Sequence, residues 1–206
     1  MYIAVDIGGT NTRVASFKNL HKESLIKIEK FPTNNQYSDA IIEITERIKK
    51  LSHNDQIEGI GISMCAAVDS ELGKITIRPY HLPNWTYKEI VKNIKKYFPT
   101  TEIRIKNDAE CGALAEMEYG ATAEVNRLYF LIIGTGIGGA FVDRTHKPLY
   151  VLQTEVGYMI IDKNDHTFTG KETSGSFYSF SAGKFIELRY NIKLADIKKD
   201  DKLWDI

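Results

Sequence analysis

A glycine-rich turn between two apolar strands, within residues 2–17, is the feature that most constrains this chain. The first strand ends at Asp6, and hydroxyl-bearing residues follow two glycines in the turn. Such glycines let the backbone approach an anion closely, and hydroxyl and amide groups donate to phosphate oxygens. The expected phosphate-binding residues of this turn are Gly8, Gly9, Thr10, Asn11 and Thr12. Asp6 is placed to orient Mg²⁺ through water, because hydrated Mg²⁺ usually binds through few carboxylates beside phosphates.

The same pattern has a simpler interpretation. Two strands joined by Gly-Gly also form an ordinary β-hairpin, in which the glycines only make the turn. The pattern is not the Walker motif, which needs Gly-Lys-Ser/Thr before a helix, nor the dinucleotide fingerprint, which also opens a helix. Taken alone, this hairpin leaves both alternatives open.

A second hairpin of the same design spans residues 128–142. Its turn holds more glycines than a simple hairpin needs, and each glycine costs backbone entropy unless something requires the space. The expected phosphate-binding residues here are Gly134, Thr135, Gly136, Gly138 and Gly139. An internal repeat of a phosphate-binding hairpin predicts two similar lobes that face each other across a cleft.

A third motif lies between the hairpins, at residues 105–116, where a short strand leads into an Ala-rich helix. Asp108 stands at the end of this strand and at the start of the helix. An Asp in that place is often only a helix N-cap, and this alternative stays open. Its position between two phosphate loops makes Asp108 a candidate for catalysis as well.

In order and spacing, these three motifs resemble the ROK family (repressors, open reading frames and sugar kinases), closest to its glucokinase-like members. The resemblance covers essentially the whole chain, and residues 61–69 and 79–85 match two further loops of the family. It implies an α/β fold of the actin-like ATPase or ribonuclease H-like type. Two lobes, each a mixed sheet flanked by helices, are expected at 1–105 and 106–206, and the second lobe is expected to be incomplete.

The resemblance also implies an activity, the ATP-dependent phosphorylation of a hexose, either glucose or a related sugar. ATP and Mg²⁺ are the implied cofactors. Asp108 would be the general base for the sugar hydroxyl, and Asn107 and Glu155 would bind sugar. The alternative function is a non-catalytic sugar-binding or regulatory remnant of a sugar kinase.

Three expected sugar contacts depart from the family pattern. Tyr158 stands where the family has His, Tyr178 replaces a second Glu, and His81 stands where the family usually has Asn. A hydrogen bond to a carboxylate contributes about 1.5–3 kcal/mol, so losing one or two such bonds changes sugar affinity by orders of magnitude. Either these side chains supply replacement hydrogen bonds or the preferred sugar differs, and the sequence does not rank the two.

The departure at Tyr158 also bears on metal binding. Family members with His at this place often use it in a structural zinc site with three cysteines shortly downstream. Residues 166–176 contain no cysteine, and His166 alone cannot supply a closed tetrahedral set of thiolate and imidazole ligands. We therefore expect no zinc site.

Composition indicates which other kinds of partner and which cellular compartment to expect. The chain has 206 residues, and its 27 basic residues balance 27 acidic ones, which gives no basic footprint for nucleic acid. Its two cysteines, Cys65 and Cys111, are expected to be free thiols in a reducing compartment, which together with the lack of a signal peptide predicts a cytoplasmic protein. No apolar run reaches the length of a membrane span. The expected partners are a sugar and ATP, and homodimerisation is left open.

The end of the sequence is the last departure. After Gly183 the chain follows the family's helix to Ile206, whereas family members continue to a Gly-Gly turn that contacts adenosine. Both a fragment and a natural truncation are compatible with this ending.

Overall fold

The computed structural model describes residues 1–53, 55–79, 81–120, 124–134, 136–168 and 174–197, with the side chain of Ala195 excepted. Thr135, one of the predicted phosphate-binding residues, lies outside them. Positions 169–173 of the segment considered for zinc also lie outside them. Among the described helices, none combines the length and apolar character needed to cross a membrane.

A mixed five-stranded sheet dominates the first half of the chain. The first seven strands are β1 (Tyr2–Ile7), β2 (Asn11–Phe17), β3 (Leu25–Pro32), β4 (Gly59–Met64), β5 (Val68–Asp69), β6 (Lys74–Ile75) and β7 (Glu102–Asn107). The sheet has the order β3-β2-β1-β4-β7, and β5 pairs with β6 separately. The three strands β1, β4 and β7 run parallel, while β2 is antiparallel to both its neighbours.

One face of this sheet packs against two helices, α1 (Tyr37–Ser52) and α2 (Ile90–Lys95). The apolar spacing of residues 36–51 predicts an amphipathic helix with Ile41, Ile42, Ile44 and Ile48 on one face. The helix and the burial of Ile41, Ile44 and Ile48 are confirmed. The prediction is wrong for Ile42, which is 47% exposed because consecutive residues of a helix point in different directions. Alternate residues of β1 and β4 point into the same core, as the two-residue period of a strand requires. Trp85, at the end of a short 3₁₀ turn, is fully buried in this core.

A smaller antiparallel sheet and three helices form the second half. These elements are α3 (Asp108–Tyr119), β8 (Arg127–Ile133), β9 (Ile137–Asp143), β10 (Tyr150–Thr154), α4 (Phe177–Ser181) and α5 (Gly183–Tyr190). The sheet order is β10-β9-β8. Helix α3 packs on this sheet through Ala109, Ala113 and Met117, which contact Ala140 and Val142 of β9. A separate cluster joins Phe168 and Phe185 to the start of β9.

The opposite face of the first sheet is open. It lines a groove of about 920 Å³ with α3, whose Cys111 and Leu114 form one wall. Asp6 lies in this groove because it shares a face of β1 with Ala4. The groove therefore leads along the sheet to one of the predicted site residues.

The mixed α/β architecture predicted from the sequence is confirmed. Strand β7 pairs with β4 as far as Asn107, so the first sheet extends two residues beyond the predicted lobe boundary at residue 105. The chain then enters α3, which packs on the second sheet. The division into lobes at 1–105 and 106–206 stays a prediction. The chain leaves the first sheet at Asn107 and enters α3 at Asp108.

Candidate functional site

The first glycine-rich turn joins β1 to β2 and is held from the end of β3. The Gly8 N–H donates to the Asn11 carbonyl oxygen at 3.0 Å, and the Thr33 hydroxyl donates to the Gly8 carbonyl oxygen at 2.8 Å. The Thr33 N–H donates to the Thr10 carbonyl oxygen at 3.0 Å. A Cβ on Gly8 would lie 2.9 Å from the Asn11 oxygen, so only glycine fits. The turn is therefore fixed before any ligand arrives.

The three polar side chains of this turn are placed differently. Thr12 is 1% exposed, and its hydroxyl oxygen lies 2.9 Å from that of Thr33. This hydroxyl is on the inner side of the hairpin, where it supports Thr33 instead of facing an anion. Thr10 is exposed and Asn11 is half-buried, so these two are the side chains of the turn that reach solvent. Phosphate binding by this turn stays a prediction.

Asp6 is flanked by two hydrogen-bond donors. Arg13 Nη1 donates to Asp6 Oδ2 at 2.7 Å, and the Ser63 hydroxyl donates to Oδ1 at 3.1 Å. A carboxylate offers about four lone-pair sites, so lone pairs remain for water. In the described part of the chain, no three His, Cys, Asp or Glu residues cluster closely enough to hold a metal ion. A single carboxylate with remaining lone pairs is compatible with a hydrated cation held through water, and Mg²⁺ binding by Asp6 stays a prediction.

Asn107 caps helix α3. Its side-chain oxygen accepts from the Ala109 N–H at 2.9 Å, and the Glu110 carboxylate accepts from the Asn107 N–H at 3.1 Å, which completes a capping box. The Asn107 amide also donates to the carbonyl oxygens of Met64 and Ala66, at 3.4 and 3.1 Å. The alternative that Asp108 is the N-cap is wrong, because Asn107 occupies that position. Sugar binding by Asn107 stays a prediction.

Asp108 is the first residue of α3 and is half-buried. Burial raises the pKa of Asp108, and the negative charge of Asp6 raises it further, while the Ala109 N–H lowers it. Desolvation likewise raises the pKa of Glu155, the charge of Asp108 adds to this, and the Gln153 amide opposes it from 2.7 Å. The charge of Asp6 therefore raises the pKa of Asp108, and the charge of Asp108 in turn raises the pKa of Glu155. The predicted base and sugar-binding carboxylates share one electrostatic environment.

His81 packs on the first turn. A Cβ on Gly9 would lie 2.6 Å from the His81 Cβ, so Gly9 is needed for this approach. Partial desolvation lowers the pKa of His81, and the positive charge of Lys184 lowers it further. Lys184 is the second residue of α5, which places the start of that helix near the first turn. The predicted sugar contact at His81 thus lies against a glycine-rich turn as a mainly neutral imidazole.

The second glycine-rich turn joins β8 to β9. The Gly134 N–H donates to the Gly136 carbonyl oxygen at 2.9 Å, and the Gly183 N–H donates to the Gly134 carbonyl oxygen at 2.7 Å. A Cβ on Gly136 would lie 2.9 Å from the Tyr178 hydroxyl oxygen. A Cβ on Gly134 would meet no atom of the described residues within 4 Å. The turn is thus tied to α5 and has open space beside it.

The other two glycines of the second motif lie within β9. A Cβ on Gly138 would lie 3.6 Å from the Ala109 Cβ, and a Cβ on Gly139 would lie 2.7 Å from the Thr154 hydroxyl oxygen. The close approach of β10 to β9 explains the glycine at position 139, whereas the distance at Gly138 is an ordinary contact that a Cβ would tolerate. Their predicted role in phosphate binding has no support from these contacts and stays a prediction.

The two tyrosines that depart from the family pattern stack on each other. The ring centroids of Tyr158 and Tyr178 lie 5.9 Å apart with an interplanar angle of 17°. The Tyr178 ring also meets Phe185 edge-on, at 5.3 Å. Tyr158 is 49% exposed. Both were predicted to contact sugar, and the structure puts the Tyr178 hydroxyl beside the second turn.

Sequence reasoning missed three polar residues of this site. Arg13 and Ser63 stand opposite Asp6 in the registers of β2 and β4. Strand alternation puts such partners on one face of a sheet, so a register drawn from the sequence would have found them. Lys184 has no comparable signal, because its position depends on how α5 packs.

Comparisons with known proteins agree with the motifs. Residues 2–201 match the sequence profile of the ROK family. The chain is 27% identical to a glucokinase of Thermotoga maritima, over 79% of this chain and 51% of that protein. It is 28% identical to an N-acetyl-D-glucosamine kinase of Vibrio atlanticus, over 69% of this chain and 46% of that protein. The chain thus spans about half the length of these curated relatives.

A solved structure supports the fold. A ROK family glucokinase from Streptomyces griseus, in complex with glucose and AMPPNP, superposes with a TM-score of 0.73 at 19% identity. The match covers 92% of this chain and 59% of that chain. Together with the mixed sheet, this likeness confirms the predicted fold class of the actin-like sugar kinases.

Proposed function

This chain belongs to the ROK family, and on that premise we propose that it carries the phosphoryl-transfer site of an ATP-dependent hexose kinase. One observation carries the proposal. Asp108 lies at the junction between the last strand of the first sheet and the first helix of the second half. Burial and the negative charge of Asp6 both raise its pKa. The two glycine-rich turns are linked through α5, since His81, which packs on Gly9, feels the charge of Lys184, and the Gly183 N–H bonds to Gly134. This link supports a proposal in which both turns serve one site.

In this proposal Asp108 is the general base. It accepts the proton of the attacking sugar hydroxyl as the bond from the sugar oxygen to the γ-phosphorus of ATP forms. The bond from that phosphorus to the bridging oxygen breaks in the same step, and ADP leaves with its electrons. The raised pKa suits this role, because a base works best when its pKa approaches the working pH. The neighbouring Asp6 supports it, since a second negative charge makes Asp108 a better proton acceptor.

Phosphoryl transfer has a loose transition state, so the protein contributes mainly by positioning and by stabilising charge. The turn at Gly8 and Gly9 and the turn at Gly134 and Gly136 hold the phosphates of ATP. Asp6 orients hydrated Mg²⁺, which would neutralise charge on those phosphates. Arg13 and Ser63 hold the Asp6 carboxylate in one orientation, through contacts of 2.7 and 3.1 Å.

Glu155 and His81 bind sugar hydroxyls in this proposal. Glu155 lies within electrostatic reach of Asp108 and is held by Gln153, so it accepts from a hydroxyl next to the reacting one. Neutral His81 offers one donor and one acceptor, which suits a hydroxyl group. The names of the relatives point to glucose and N-acetyl-D-glucosamine as the first two sugars to test.

The test is ADP release in the presence of ATP, Mg²⁺ and a panel of hexoses and N-acetylhexosamines. We expect turnover on one sugar, and Asp108→Asn should lower kcat by about 10²- to 10⁴-fold while sugar affinity is retained. Asp55→Asn is the matched control, because Asp55 is an exposed loop residue away from the turns. Turnover by Asp108→Asn at the wild-type rate would show that Asp108 is not the general base.

A second candidate is sugar binding without catalysis. The observation in its favour is the altered sugar contacts, since Tyr158 and Tyr178 stack on each other and the Tyr178 hydroxyl lies at the second turn. Calorimetric sugar binding by folded protein that releases no ADP on any sugar would establish this function and reject the kinase.

A further inference from the structure

Glu155, the expected sugar-binding carboxylate, has a hydrogen-bond donor close by in the chain. Gln153 lies two residues earlier, in β10, and its Nε2 donates to Glu155 Oε1 at 2.7 Å. Side chains two positions apart along a strand point to the same face, and this contact continues that alternation past the end of β10. Glu155 reaches solvent, as a ligand-binding side chain must, and desolvation still raises the pKa of its carboxyl.

The face that these two side chains share is the one on which α3 packs. Gln153 is half-buried and stands opposite Ala140 of β9, which lies in one buried cluster with Ala109 of α3. Val151, two residues before Gln153, packs against the same cluster. The packing of this strand therefore fixes the donor to which Glu155 is bonded.

Helix α3 brings a second carboxylate to this face. Its first residue is Asp108, and the Cβ of the next residue, Ala109, would lie 3.6 Å from a Cβ on Gly138. Gly138 is the β9 residue beside the end of β10, where Glu155 follows. The negative charge of Asp108 accordingly raises the pKa of Glu155.

Gln153 opposes this repulsion. Donation from its amide lowers the pKa of Glu155, whereas desolvation and the charge of Asp108 raise it. The β9 residues on this face, Gly138 and Ala140, carry no charge, so Asp108 is the charged group that acts on Glu155 from the described elements packed here. Two carboxylates that share a site compete for a proton, and a donor bonded to one of them keeps that one ionised.

We propose that Gln153 is a positioning residue, whose amide holds Glu155 ionised and directed at a sugar hydroxyl. This inference rests on the proposed function, which supplies the sugar and the roles of Glu155 and Asp108. An ionised Glu155 accepts a hydrogen bond from one hydroxyl and leaves its proton in place. The proton of the hydroxyl that attacks the γ-phosphorus then goes to Asp108, while ADP leaves.

Three substitutions at this position test the inference by charge instead of size. Gln153→Met keeps the length and loses the donor, Gln153→Lys keeps a donor, and Gln153→Glu adds a repelling acceptor. Calorimetry at about pH 8, with the sugar that turns over or with glucose if none does, measures sugar affinity. It should fall about 10-fold in Gln153→Met, fall further in Gln153→Glu and stay near wild type in Gln153→Lys. Gln56→Met, at an exposed loop position, is the matched control.

A second measurement detects what a merely structural role would not change, the protonation of Glu155. Carboxyl ¹³C NMR, with Glu155→Gln to assign the signal, should give a higher pKa for Glu155 in Gln153→Met than in wild type. A higher pKa means that Glu155 is protonated sooner as the pH falls, so sugar affinity should decline more steeply in Gln153→Met than in wild type between about pH 8 and pH 6.

The outcomes separate this inference from the kinase proposal. Equal losses of sugar affinity in Gln153→Met and Gln153→Lys, or an unchanged Glu155 pKa in Gln153→Met, would overturn the inference and leave the kinase proposal standing. Sugar affinity that follows the expected order in a protein that releases no ADP would support the role of Gln153 and reject the kinase. Folded wild type that binds no sugar would overturn both.

Discussion

The two glycine-rich turns share one plan but are supported in different ways. The first is held by Thr33, which follows the neighbouring strand β3 and bonds to both Gly8 and Thr10. The second is held by Gly183, which lies about fifty residues further along the chain. The geometry of the first turn is therefore a property of its own hairpin and sheet edge, whereas that of the second depends on the docking of α4 and α5.

The hydrophobic cores of the two halves also differ, since that of the first half is continuous and that of the second is divided. Among the residues that the structure describes, twenty buried apolar side chains form one cluster at the first sheet. In the described part of the second half, the buried apolar side chains form a cluster of five at α3 and one of four at α5. Elements that share one large cluster are expected to unfold together, whereas a small cluster stabilises only the few elements that form it. The first turn should thus be lost only with its whole half, and the second by local loosening.

The largest effect is expected from Trp85→Ala. Trp85 is fully buried, its Nε1 donates to the Asn34 carbonyl oxygen at 3.2 Å, and its ring meets Tyr37 edge-on. Truncating a buried Trp costs about 3–5 kcal/mol. Chemical denaturation should show this loss as one cooperative transition, and Tyr87→Ala, at a 67% exposed site, is the control. The comparison would fail if the first half itself unfolded in two separate transitions.

A methyl group added to each turn should give unequal results. Gly9→Ala places a Cβ 2.6 Å from the His81 Cβ and should destabilise by about 1–3 kcal/mol, because the segment around His81 must move. Gly134→Ala meets open space and should leave stability near wild type. Thermal denaturation of both variants measures the difference. Equal losses would mean that the open space at Gly134 is not available to a side chain.

Thr33→Val removes the hydroxyl that supports Gly8 and Thr12, and we expect a loss of about 1 kcal/mol. Thr33→Ser keeps the hydroxyl and serves as the control. The free energy of unfolding measures the size of the effect, and ATP affinity should fall in Thr33→Val alone. Unchanged affinity would show that the first turn keeps its shape without Thr33.

Acid is expected to have the smallest effect, and it acts on both halves. Glu29 accepts from Lys50 and Arg47, and these bonds lower its pKa to about 2. The Arg189 guanidinium likewise holds the pKa of Asp165 well below its usual range. A depressed pKa in the folded state means that the unfolded state binds more protons in acid.

The stability contributed by Glu29 is therefore present above about pH 4.5 and is lost as the pH falls towards 2. Melting temperatures measured between pH 7 and pH 3 should fall less steeply in Glu29→Gln than in wild type. A wild-type slope in Glu29→Gln would show that the ion pairs of Glu29 do not contribute.

The sequence predicted those parts of the molecule that local pattern determines. Both hairpins, α1 and the start of α3 follow from apolar periodicity and glycine placement, and the structure confirms them. The role of Thr12 could not be predicted, because it depends on which side of the hairpin Thr33 occupies. The sequence left the N-cap open for a similar reason, since Asn107 and Asp108 are both good capping residues, and the backbone geometry that makes Asn107 the cap is seen only in the structure.

The surroundings of the glycines were the least predictable. His81 reaches Gly9 and Tyr178 reaches Gly136 across long stretches of chain, so only packing brings these pairs together. The family resemblance assigned both side chains to the sugar. The structure adds that the Tyr178 hydroxyl lies beside Gly136 and the His81 side chain beside Gly9, and sugar binding by either residue stays a prediction.

Asn107 has a mechanical consequence. It ends the last strand of the first sheet, bonds to the backbone at Met64 and Ala66, and begins the helix that packs on the second sheet. The backbone at this point is therefore anchored from the first sheet and from the helix that packs on the second. In our proposal this anchoring keeps Asp108, the next residue, in one place while the substrates bind.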